Sequence, residues 1–198
     1  MLWVGLLMVF IATGCLGFLI LHLFDIVALK RLPVAKPLAW MLGCGLLLYA
    51  LAMVSLGADK LPLPSWSTWL GSTLLATSLL TLVWSLFINL PFRKTYLASG
   101  VGDELVTTGL YGLVRHPGVP GFALVLLSLI LVSRSSLLLV AAPVFIMLDI
   151  VLVIVQDRFV FGKMFTDYDR YREKTPMLVP NRQSLNTFMN SLTQQFRA

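Results

Sequence analysis

Five uncharged, mostly apolar runs divide the chain: residues 1–24, 37–58, 61–92, 117–133 and 135–156, the last interrupted only by Asp149. A helix needs roughly 20 apolar residues to cross a bilayer. The first three runs meet that length easily, and Pro64 predicts that the third helix starts at Ser65. The fourth run is marginal. Only Arg134 separates it from the fifth, so the two are expected to form a tight helical hairpin. The first run lacks a basic leader and an A-x-A-like cleavage site and is too long for a signal peptide, so it is read as retained.

Beyond the fifth run the pattern turns amphipathic. Phe161, Met164, Phe165, Tyr168 and Tyr171 recur at helical spacing until Pro176 and Pro180 interrupt them. This predicts an interfacial helix with aromatic anchors. Leu185, Phe188, Met189, Leu192 and Phe196 form a second stripe, expected to lie on the membrane surface. The expected fold is therefore all-α and integral to the membrane, with five spans followed by interfacial helices. It divides into residues 1–92, with three spans; 93–180, with helices four and five; and an amphipathic tail, 181–198.

Composition agrees with a membrane setting: 58% of residues are hydrophobic and only 12% charged, against roughly 25% charged in soluble domains. Cys15 and Cys44 both lie inside apolar runs, so no disulfide framework is implied. The net charge of +6 reads as topology. Of 15 lysines and arginines, only Lys60 and Arg134 fall on one side of a five-span arrangement. Basic residues favour the cytoplasmic side, which predicts an outside N-terminus and a cytoplasmic C-terminus. Nucleic acid is not needed to explain the charge, and two histidines with two membrane-embedded cysteines offer no convincing metal site.

The cytoplasmic face then gathers the loop 30–36, the connection 93–116 and the tail. In "SGVGDELVTTGLYG", residues 99–112, the glycines predict turns rather than helix. The G-V-G at 100–102 lacks the preceding strand and third glycine of a dinucleotide fingerprint, and reads as flexible loop. Arg115-His116-Pro117 is more informative. Arg115 alone would pass as a positive-inside anchor and Pro117 as the first residue of a helix. His116, however, sits where free N–H groups and the helix dipole attract anions. Arg115 beside it adds a planar fork suited to a carboxylate. A topological anchor and an anionic-ligand site both remain open on the residues alone.

Acidic residues inside the apolar runs are costly and default to functional or paired roles. Asp149 lies seven residues before Gln156, on nearly the same helix face. For Asp25, a contact with His22 or a snorkelling pair with Lys30 is preferred over a proton relay. Asn89 is expected to make a helix-packing hydrogen bond.

"GLYGLVRHPGVPG" (109–121) together with "QDRFVFGKMFTDYDRYREKTPMLVP" (156–180) resembles the integral-membrane methyltransferases, among them isoprenylcysteine carboxyl methyltransferase and the phospholipid N-methyltransferases. Their pattern is roughly G-x-Y-x-x-x-R-H-P-x-Y-x-G, then a helix ending in Glu-Glu, then Phe-Gly-x-x-Tyr-x-x-Tyr and a terminal proline. Gly109, Tyr111, Arg115, His116, Pro117, Gly121, Tyr168, Tyr171 and Pro180 match it. Val119 stands at the family's tyrosine, Gln156-Asp157 at its Glu-Glu, and Met164-Phe165 at its Phe-Gly.

The resemblance implies a cytoplasm-facing site for S-adenosylmethionine (SAM), carried by the helix 4–5 hairpin and residues 93–180. Gly109, Tyr111, Val114, Arg115, His116, Pro117, Gly121, Gln156, Asp157, Tyr168 and Tyr171 would contact the cofactor, with Arg115 and Asp157 as catalytic residues. Arg115 would hold its carboxylate and Asp157 its ribose diol or ammonium. The methyl acceptor would be a small or lipophilic molecule, the other partners membrane lipids, and the location a bacterial inner membrane. Two alternatives stand beside this: a non-catalytic lipid-binding or assembly protein that kept the fold, and a membrane reductase using a nicotinamide cofactor.

Overall fold

A computed structural model describes residues 2–98 and 105–195. Among these the chain is helical, and each apolar run contains a helix. They are α1 (Leu2–Leu29), α2 (Ala35–Ser55), α3 (Trp66–Val83), the short α4 (Leu110–Leu113), α5 (Gly118–Ser133) and α6 (Ser136–Val155). The tail adds α7 (Phe161–Met164), α8 (Tyr168–Lys174) and α9 (Arg182–Gln195). Among the described residues, four helical segments are long and apolar enough to cross a membrane: Gly5–Leu29, Ala35–Ser55, Trp66–Ile88 and Ser136–Met164. The helix of the fourth run, α5, is apolar but only 16 residues long, short of the length expected of a span.

α1 packs against α2 and α6, and α5 against α3 and α6. Burial of Phe18, Val54, Leu126, Leu138 and Phe145 places the core between α1, α2, α5 and α6. Small residues allow the close approaches, as is common where lipid supplies no hydrophobic drive between helices. A Cβ on Gly17 would stand 3.0 Å from the Gly43 carbonyl oxygen, so α1 and α2 meet backbone to backbone.

The α5–α6 connection is the pair Arg134–Ser135. Arg134 takes the left-handed conformation that ends α5, φ +53°. Its guanidinium donates to the Pro64 carbonyl and the Thr68 hydroxyl. Ser135 caps α6 by accepting from the Leu138 N–H and itself donates to the Val54 carbonyl of α2. The turn thus fixes α5 and α6 against the loop between α2 and α3.

Two long helices end in π turns, Trp84–Ile88 after α3 and Gln156–Val160 after α6. Such turns insert a residue, rotate the chain beyond them, and recur at functional sites. The connection expected as loop is partly helical: Arg93–Leu97 forms a further π turn and residues 110–113 form α4. The G-V-G at 100–102 lies outside the described residues.

The single amphipathic helix expected after α6 is replaced by two short ones. Phe165 is extended and breaks the run between α7 and α8. Tyr168 and Tyr171 are buried in protein rather than anchored in a bilayer. The two phenols find partners inside the protein instead of at the interface: the Asp157 carboxylate for Tyr168 and the Tyr111 carbonyl for Tyr171. In the terminal stripe Leu185 and Met189 are exposed on α9, while Phe196 lies outside the described residues.

Candidate active site

The chain enters the site through Gly109, whose φ of +59° and ψ of −136° form a conformation only glycine adopts readily. One turn of α4 follows, then Val114 in extended conformation, buried. Here the backbone pairs with the tail: the Arg115 N–H donates to the Pro176 carbonyl at 2.9 Å and the His116 N–H to that of Met177 at 3.2 Å. Pro117 then opens α5. Gly121, one turn in, packs against Leu82 of α3.

Asp157, in the π turn after α6, is the common acceptor. Arg115 Nη2 donates to its Oδ2 at 3.2 Å, and Arg115 Nε lies 3.1 Å from its Oδ1. The Tyr168 hydroxyl donates to Oδ1 at 2.5 Å, and His116 Nε2 stands 3.4 Å from the same atom. Both members of the Arg115–Asp157 pair are nearly buried, with 9% of each side chain exposed. Arg115 Nη1 also donates to the Arg172 carbonyl of α8 at 2.9 Å. The imidazole of His116 stacks on Phe161, ring centres 5.7 Å apart, and Phe161 continues into Phe165 and Tyr168.

A second thread runs through the tyrosines. Tyr171 donates to the Tyr111 carbonyl at 2.6 Å, and the Tyr111 hydroxyl donates to the Ser85 carbonyl in the π turn after α3 at 3.2 Å. Burial holds all three phenols above the ordinary tyrosine range; for Tyr168 the bond to Asp157 and that carboxylate's charge add to it. They are donors at any physiological pH.

The structure therefore brings together Arg115, His116, Asp157 and Tyr168, with Tyr111 and Tyr171 one layer behind. It sends Gln156 elsewhere: its amide donates to both carboxylate oxygens of Asp25 on α1, at 3.3 and 3.1 Å. Asp25 thus pairs with neither His22 nor Lys30. Asn89 does not bond a helix neighbour either; its amide donates to the Thr108 carbonyl. Asp149 has no hydrogen bond or ion pair among the described residues. In the sequence Phe161 stands out only as a member of the amphipathic stripe, and nothing marks Ser85 or the carbonyls of Arg172, Pro176 and Met177 as part of a site. Backbone acceptors leave no mark in a sequence, although Pro176 did signal that the chain stops being helix there.

An open groove of about 500 Å³ lies between the end of α3 and α9, lined by Leu80, Trp84, Ile88, Asn89, Gly109 and Phe188. Its α3 wall belongs to a segment apolar enough to sit in a bilayer. Asn89 Oδ1 is buried and has no hydrogen-bond partner among the described residues.

The phospholipid methyltransferase family model matches residues 66–165, half of the 198-residue chain. The chain belongs to that family, which makes it a membrane protein of the methyltransferase class. No curated protein and no solved structure matches it. The matched region runs from the start of α3 through α7. It contains Arg115, His116 and Asp157 but neither Asp25 nor Tyr168.

Proposed function

We propose that the chain is a SAM-dependent methyltransferase that transfers a methyl group to a small or lipophilic acceptor at the cytoplasmic surface of a bacterial inner membrane. The observation that carries this reading is the joining of Arg115, His116, Asp157 and Tyr168 in one nearly buried polar network at adjacent ends of α5 and α6. In it α5 is the fourth of five spans, completing a hairpin with α6, and the hairpin's open end faces the cytoplasm with most of the basic residues.

The donor set suits SAM. Arg115 Nε is buried and, among the described residues, has no aligned hydrogen-bond acceptor, although it lies close to Asp157. That N–H is a site for the cofactor's carboxylate. Asp157 Oδ2 receives Arg115 Nη2, leaving lone-pair capacity for a ribose hydroxyl or an ammonium. The faces of Phe161 and Phe165 favour a flat base or a cationic sulfonium nearby. Bound there, SAM would supply an electrophilic methyl group on sulfur. The protein would then orient and desolvate, which is most of what an in-line transfer requires. Tyr168 and His116 fix the carboxylate, and the aromatic rings keep water from the reacting atoms. The apolar α3 wall of the neighbouring groove supports an acceptor that arrives from the bilayer.

Calorimetric titration of the detergent-purified protein with S-adenosylhomocysteine tests the reading. Micromolar binding is expected, weakened about ten- to a hundredfold by Arg115→Ala. No binding by the parent protein would leave the non-catalytic reading in its place.

A further inference from the structure

Asp25 lies in α1, outside the region that matches the family, and is only 3% exposed. A carboxylate is costly to bury unless something holds it there. Its partner is the Gln156 amide, 131 residues away. Gln156 is the first residue of the π turn that carries Asp157, and its carbonyl accepts the Phe161 N–H that closes the turn. One residue thus fixes three things: α1 through its side chain, Asp157 as its chain neighbour, and Phe161, the ring stacked on His116, through its backbone.

We infer that Asp25 and Gln156 are positioning residues for the site. The bond across α1 and α6 sets the rotation of the π turn, and so the placement of the Asp157 carboxylate and the Phe161 ring. A π turn has a choice to make, because an ordinary α-helical continuation would carry Asp157 to a different azimuth. Among the described residues neither Asp25 nor Gln156 shares a hydrogen bond or ion pair with Arg115, so each acts through Asp157. The inference gives Gln156 a different task from cofactor contact. It also assigns α1 a part in the site that the matched region does not contain. Its consequence for the cofactor rests on the methyltransferase reading; its consequence for Asp157 does not.

The bond has a direction that can be reversed. Gln156→Glu alone sets two carboxylates against each other on α1 and α6. Asp25→Asn alone keeps an acceptor oxygen for the Gln156 amide and should be mild. Combining Asp25→Asn with Gln156→Glu lets the new amide donate to the new carboxylate across the same gap. Expected results are an S-adenosylhomocysteine Kd raised about tenfold by Asp25→Ala and at least as much by Gln156→Glu. The reversed pair should return it to within about threefold of the parent. Thermal unfolding without ligand supplies the independent readout: Asp25→Ala should lower Tm less in an Asp157→Ala background than in the parent. Additive Tm changes would overturn the inference, as would a reversed pair no better than Gln156→Glu alone. If the parent binds no ligand, the cofactor reading falls, and the thermal cycle still decides the positioning.

Discussion

Replacing Asp157 by alanine removes the one acceptor that serves Arg115, His116 and Tyr168 together. The largest consequence is electrostatic. The nearly buried guanidinium of Arg115 is left, among the described residues, with the Arg172 carbonyl as its hydrogen-bond partner. Breaking a buried ion pair from one side costs about 3–5 kcal/mol. The surviving carbonyl bond places this case at the lower end, about 3 kcal/mol. For a chain of this size each kcal/mol shifts Tm by about 2–4 °C, which gives a fall of about 6–12 °C. The assay is thermal unfolding of the detergent-purified protein, followed by tryptophan emission. Removing both charges with Arg115→Met and Asp157→Leu leaves no orphan, and that double variant should be more stable than Asp157→Ala. The reasoning fails if Asp157→Ala melts within about 2 °C of the parent, or if the double variant loses as much as the two single changes summed.

Three further outcomes rest on the same geometry. Burial and the bond to Asp157 raise the Tyr168 pKa above its ordinary value of 10.0, so its stabilising effect is complete below pH 10 and declines above it, as the unfolded chain ionises first. Tyr168→Phe should lower Tm at pH 7 and also flatten its alkaline fall, each such phenol contributing about 1.4 kcal/mol per pH unit; an unchanged alkaline slope would contradict this. Gly109→Ala forces a Cβ into a glycine-only conformation, 2.5 Å from Asn89 Nδ2, at a cost of about 1–3 kcal/mol. Adding Asn89→Ala should recover part of that cost in a melting experiment, and no recovery would mean the contact is not felt. In intact cells an impermeant thiol reagent should label Ser65→Cys and spare Gln183→Cys, both exposed positions; the opposite pattern would invert the orientation.

Much of the framework was legible because apolar runs bounded by charge have few ways to fold. The runs at 117–133 and 135–156 are separated by Arg134, so a short turn there makes their other ends neighbours. This puts Arg115 and His116 near Asp157 without knowledge of any side-chain contact. The tail was not legible in the same way. Tyr168 and Tyr171 at helical spacing suit an interfacial helix as well as a folded-back one. The choice between them is made by a charged acceptor at the end of α6, and amphipathic periodicity says nothing about that partner. Asp25 shows the same blindness at longer range, since a local reading offers it His22 and Lys30 and cannot weigh an amide on another helix.

Asp25 and Tyr168 also show how the site is held together. Arg115 and Asp157 form a pair whose attraction alone would not fix its geometry, because burying both charges costs about as much as pairing them returns. The geometry is set by fasteners on either side. The tail supplies the Tyr168 hydroxyl and the carbonyls of Arg172, Pro176 and Met177. α1 supplies Asp25, through Gln156. The region that matches the family carries the pair, while the segments before and after it hold the pair in place.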